Sequence, residues 1–170
     1  MSKHIVRTFS RVFPSYHPRA GEPTYFVEKI WNSVGMPSFG AGNPWGSGWK
    51  DTPLTVEYAR FIRGSDDFDD ISKHHTIRAG HHFKPGDFLV PRVWSGKPYA
   101  SKQIQFAPPI EIVKTWDFEM DVLGVCSISK PGEQQTYTFC FNENLDDLIA
   151  QNDGLSHEDF YWWFSRSPSS

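Results

Sequence analysis

Proline and glycine set the scale on which this chain can fold. With 13 of each, the apolar stretches are cut into short runs, and each cut falls where a turn or loop is expected. Residues 4 to 9 alternate like a strand before a loop punctuated by Pro14, Pro18 and Gly21. Phe88 to Trp94 reads as a strand, Ser95-Gly96-Lys97-Pro98 as a turn, and Ser101 to Phe106 as the returning strand, which Pro108-Pro109 interrupts. Ile110 to Thr115, Trp116 to Ser127 and Thr136 to Phe141 are further β-rich runs, with Lys130-Pro131-Gly132-Glu133 as a turn between the last two. Three stretches switch to helical spacing. From residue 23 to 34, Pro23 suits a first turn, Tyr25, Phe26, Val27, Ile30 and Val34 form an apolar stripe, and Gly35 stands at the C-terminal cap. Asn144 to Gln151 forms a second helix that breaks at Asp153-Gly154, and Ser156 caps a third with Glu158 and Asp159 in its first turn. The expected class is α+β: a small β-barrel of five to six strands with flanking helices, the helix at 23–34 covering one mouth.

At 170 residues, 38% apolar and 16% aromatic, the chain suits one domain over 1–170 with a real core. A net charge of -3 gives no global basic footprint, so tight sequence-independent DNA binding is disfavoured and any nucleic-acid contact must be local. Cys126 and Cys140 fall in strand-like runs and are expected to be reduced and buried. No apolar run approaches the roughly 20 residues that span a bilayer, and residues 1–7 lack a signal-peptide core, so a soluble cytoplasmic protein without membrane contact is expected. Residues 36 to 49, rich in Gly, Pro, Ser and Trp, read as a loop whose Trp45 and Trp49 pack back or line a pocket. Thr52 to Arg63 suits a short helix or a strand. The turn from Gly64 to Asp70, with Asp66, Asp67, Asp69 and Asp70, is a solvated loop before it is a metal site.

The chemistry concentrates in Lys73-His74-His75-Thr76-Ile77-Arg78 and the Phe83-Lys84-Pro85-Gly86-Asp87 turn that follows. In an extended segment Thr76 and Arg78 share a face opposite Ile77, with Lys73 near them. A lysine of depressed pKa activates a hydroxyl nucleophile, and a guanidinium grips a carboxylate or phosphate. For Lys73 to be neutral near pH 7 its pKa must fall by roughly 3 units, which requires burial or a neighbouring cation such as Arg78 or protonated His75. The bland alternative makes Lys73 and Arg78 surface cations on an edge strand. His74, His75, His81 and His82 flank a short turn but lack a nearby cysteine, so no metal and no cofactor is expected, with one histidine contacting a ligand. In the run from Arg92 to Gln103, Trp94 and Tyr99 can stack a base, Lys97 and Lys102 meet phosphates, and Ser101 and Gln103 read polar edges; a hairpin with cross-strand aromatic packing fits equally. Phe160, Trp162, Trp163 and Phe164 are read as core and interface anchors.

Lys73, Thr76, Arg78, Gly86 and Asp87 together resemble the signature of the ASCH family of PUA-like β-barrel domains, Lys-x-x-Thr-x-Arg followed by a Gly-Asp turn. The resemblance covers most of the chain outside an insertion at about 36–70, which departs from the family's direct passage from helix to signature. Within the family the signature is most similar to that of the bacterial acetylcytidine amidohydrolases. That resemblance implies a pocket between the signature and the last helical segment, with Lys73 as base and Thr76 as nucleophile. Asp153 would fill the place of a family glutamate, shorter by one methylene. The function so implied is binding of RNA, a nucleotide or a modified nucleoside, with amide hydrolysis of acetylated cytidine as its sharpest form. A non-catalytic binding module using the same residues is the alternative, and a third reading makes residues 36–49 a docking site for a protein partner.

Overall fold

The computed structural model describes residues 2–35, 72–80, 82–121, 125–132, 136–139 and 144–165. The expected insertion at 36–70, with Trp45, Trp49 and the acidic turn, lies outside these residues, as do His81 and Cys140.

Strand β2 (Phe88–Trp94) organises the first sheet. On one edge it pairs in parallel with β1 (His4–Thr8), from His4 opposite Phe88 to Thr8 opposite Arg92. On the other edge β3 (Gln103–Gln105) and β4 (Ile110–Glu111) pair antiparallel with its two ends. Pro91 sits between those ends: β3 takes residues 92 to 94 and β4 takes 88 and 89, so the proline that has no N–H stands where the antiparallel partner changes. β2 buries Leu89, Val90, Pro91 and Val93, a nearly continuous run that reflects cover on both faces.

A second sheet has the antiparallel order β5 (Asp117–Met120), β6 (Cys126–Ser129) and β7 (Thr136–Phe139). The run expected as one strand from Trp116 to Ser127 is therefore two. Asp121 turns the chain by accepting the Val125 N–H on its carboxylate at 2.9 Å while its own N–H reaches the Val125 carbonyl at 3.0 Å. Among the described residues the architecture is α+β, with one mixed and one antiparallel sheet and three helices, and no closed barrel is formed.

Helix α1 (Phe26–Ser33) starts three residues later than Pro23. Thr24 explains the delay, because its N–H and hydroxyl are bound to the carbonyls of Arg11 and Ser10, and Pro23 bridges to Val12. Phe26, Val27, Ile30 and Trp31 fall at helical spacing and are buried. The Trp31 indole N–H donates to the Phe106 carbonyl at 2.6 Å, which satisfies both groups inside the core. Helices α2 (Asn144–Asn152) and α3 (His157–Ser165) are joined by the expected break, and Ser156 accepts the Asp159 N–H on its hydroxyl at 3.1 Å. Phe160 of α3 enters the core, and Phe118 of β5 meets it edge-on at 6.0 Å, tying the second sheet to the helices. Cys126 is buried in the same cluster. Arg19 and His17 fix the loop before α1 on α3: Arg19 donates to Asp159 at 2.6 Å, and His17 stacks on Phe13.

Candidate active site

The segment from Lys73 to Arg78 belongs to no sheet and no helix, a correction to the strand expected there. Its N–H groups are taken by helices instead. Lys73 donates to the Lys29 carbonyl of α1 at 3.1 Å, and His74 and His75 both donate to the Asn152 carbonyl at the end of α2, at 2.8 and 3.0 Å. The last carbonyls of a helix lack intrahelical partners, so α2 offers an acceptor where the segment passes. The signature is thus held between two helices and beside the Asp153-Gly154 turn.

Lys73 is 5% exposed and Asp153 4%, and the lysine ammonium lies 2.7 Å from Asp153 Oδ1. It also donates to the Asp153 backbone carbonyl and sits 4.5 Å from the centre of the Phe26 ring. Burial lowers the Lys73 pKa, the Asp153 carboxylate opposes that shift, and the Arg78 cation adds to it. These opposed effects fall on an amine whose one ion-pair partner among the described residues is the Asp153 carboxylate. Arg78 lies over Phe9 at 4.8 Å and donates to the Thr8 carbonyl at 3.2 Å. No hydrogen bond joins Thr76 to Lys73 among the described residues.

Lys73, Thr76, Arg78 and Asp153 line one recess of about 1180 Å³. Phe9, Phe26, Trp163 and Phe164 supply aromatic wall, and Tyr25, Trp94, Pro98 and Tyr99 complete it from α1's leading edge and the β2–β3 connection. Trp163 and Phe164 therefore contribute to the recess as well as packing against the core. Trp94 and Tyr99 lie 5.4 Å apart with their planes tilted by 51°, and the Tyr99 side chain is 91% exposed. Among the described residues only Tyr25 (φ 56°) and Tyr99 (φ 62°) are non-glycine residues at positive φ, and both line the recess. A large side chain in the left-handed region costs about 1 to 2 kcal/mol, and such outliers cluster at ligand sites.

Other residues singled out in the sequence stand apart from this recess. His75 faces Asp153 Oδ1 from 3.9 Å and its pKa is lowered, first by burial, but it does not line the cavity. The Ser101 hydroxyl is committed to its own turn, accepting from the Gly96 N–H and donating to the Lys97 carbonyl. Gln103 pairs with Trp94 across β2 and β3, and Lys97 and Lys102 are exposed beside it without lining the cavity. Among the described residues no group of three or more His, Cys, Asp or Glu side chains could hold a metal ion.

Two contributors, Glu28 and Lys29, left no mark in the sequence pattern, and a third, Tyr25, stood out only as part of a helical stripe. Glu28, 3% exposed, brings a second carboxylate to the recess from α1. Tyr25 owes its place to a backbone angle. Lys29, next on α1, donates to the Gly154 carbonyl at 2.5 Å, and burial followed by Lys73 repulsion lowers its pKa to about 8.

No family model matches the chain, and no curated protein or solved structure does. Among the described residues no helix is long and apolar enough to cross a membrane.

Proposed function

We propose that the recess binds a modified nucleoside, free or within RNA, and hydrolyses an acyl amide on its base. The observation that carries this reading is the Lys73–Asp153 pair, buried at 2.7 Å on the wall of a cavity that Thr76 and Arg78 also line. Burial and the Arg78 cation both lower the pKa of this amine, the direction a general base requires, while Asp153 opposes them.

In this mechanism the base stacks on the aromatic wall near Trp94 and Tyr99, with its acyl group directed toward Thr76. The neutral Lys73 amine takes the hydroxyl proton as Thr76 Oγ1 attacks the acyl carbon. Arg78 stabilises the oxyanion that forms. Collapse breaks the C–N bond, the proton passes from Lys73 to the departing amine, and water then releases the acid from Thr76 by the same base. Asp153 orients the lysine and stabilises its ammonium form. The small PUA-like barrel and the ASCH family belong to this same proposal, supported by the Lys73, Thr76, Arg78, Gly86 and Asp87 pattern. Tyr99, held exposed at a strained angle, favours nucleobase recognition as the binding step, whether or not chemistry follows.

Incubation with acetylated cytidine nucleosides, followed by product analysis, tests the reading. The native protein should release cytidine and acetate, and Lys73→Ala and Thr76→Ala should each lose at least about 100-fold in rate. Turnover surviving either substitution would refute the roles assigned. Binding of single-stranded RNA with no turnover by the native protein would leave the non-catalytic module in place of the enzyme.

A further inference from the structure

Two lysines converge on the turn that carries the site's carboxylate. Lys73 donates to the carbonyl of Asp153 and Lys29 to the next one, that of Gly154, at 2.5 Å. The backbone joins them again, because the Lys73 N–H is bound to the Lys29 carbonyl at 3.1 Å. Gly154 lies between their stems at φ +76°, where an added Cβ would come within 3.2 Å of both Lys29 Cδ and Lys73 Cβ. A side chain there would require the two stems to give by a few tenths of an ångström, on top of the strain of the positive φ.

We propose that Lys29 is a positioning residue of this site: its ammonium anchors the Asp153-Gly154 turn beside Lys73 and sets a second positive charge against the Lys73 amine. The inference rests on the catalytic reading for its purpose, though not for its test. A base that must shed its proton gains from a nearby cation, since like charges favour loss of one of them. The repulsion is mutual. Burial and Lys73 lower the Lys29 pKa to about 8, with Asp159 of α3 and Glu28 of α1 opposing and Arg19 assisting. The Lys73 amine is itself acted on by burial, by Asp153, which holds its proton, and by Arg78, which weakens that hold. The adjacent carbonyls of Asp153 and Gly154 hold the two ammoniums side by side, and on this proposal the Lys29 charge weakens the proton's hold on its neighbour.

The test reads the amines directly. Protein carrying lysine labelled with ¹³C at Cε is titrated by NMR, the Lys73 resonance being assigned by its loss in Lys73→Met. In Lys29→Met the Lys73 titration should move up by at least about one pH unit, whereas Lys29→Arg, which keeps a permanent cation, should hold it near its native position. An unmoved or lowered Lys73 curve in Lys29→Met would overturn the proposal. Should that variant fail to fold, Lys29→Gln, neutral but still polar, takes its place with the same expected rise, and an unmoved Lys73 curve would equally overturn the proposal. Because acetate release is not the readout, failure of the native protein to turn over acetylated cytidine would count against the proposed function and not against this coupling.

Discussion

Lys73 depends on a single carboxylate, and that dependence makes its neighbourhood the most sensitive part of the chain. Replacing Asp153 by Asn strands the buried ammonium, and a loss of about 3 to 5 kcal/mol is expected by urea unfolding at pH 7. Gly154→Ala should cost at least about 1 kcal/mol from its positive φ alone, before the two lysine stems are displaced. Lys29 gives a pH dependence of definite sign. Its pKa is about 8 in the folded protein and 10.5 in the unfolded chain, so below pH 8 both states hold the proton and folding bears its full burial. Between about pH 8 and 10.5 the unfolded state binds more protons, and stability rises with pH by on the order of 3 kcal/mol. Lys73, also lowered, acts in the same direction. Urea midpoints at pH 7.5 and 10 should increase in the native protein and increase less in Lys29→Met. At this scale Lys73, Thr76 and Arg78 were singled out by their types and spacing and Asp153 by the resemblance alone, and the fold brings all four to one recess. Lys29 and Glu28 were not singled out, since an ordinary helical Glu-Lys pair says nothing about a turn some 125 residues away in the chain.

Strands and helices were legible where breakers bound them. β2 runs from Phe88 to Trp94 as its composition suggests, and the α2–α3 break falls at Asp153-Gly154 with Ser156 as cap. What failed did so through hydrogen bonds that residue pattern cannot reveal. The signature has the look of a strand, yet its N–H groups go to Lys29 and Asn152, and α1 is delayed because Thr24 is bound to Ser10 and Arg11. The β2–β3 connection bears the most exposed aromatic of the site, and its strain predicts a trade. Tyr99→Gly should stabilise the fold by up to about 1 kcal/mol in thermal unfolding, by relieving a positive φ, while weakening nucleoside or single-stranded RNA binding by about 1 to 3 kcal/mol in a fluorescence titration. Loss of both stability and affinity would mean that the ring serves packing instead.

At the scale of the molecule, one apolar cluster among the described residues links β2, α1, Cys126 of the second sheet and the helices that follow it, and the recess opens beside it. Class and the order of most elements could be read from the run lengths between prolines and glycines. Closure could not: among the described residues the strands form two sheets, and sheet boundaries depend on pairings between distant runs, such as His4 to Thr8 with Phe88 to Arg92. The same long-range assembly brings α1, the signature and the α2–α3 turn around one amine, and the proposed chemistry requires all three. Its most direct test is a rapid-quench reaction of the native protein with acetylated cytidine, with peptide mass spectrometry to locate any acetyl group and acetate release followed in parallel. The account predicts an acetyl group on Thr76 that fails to form in Lys73→Ala. Acetate released at the native rate by Thr76→Ala would contradict it.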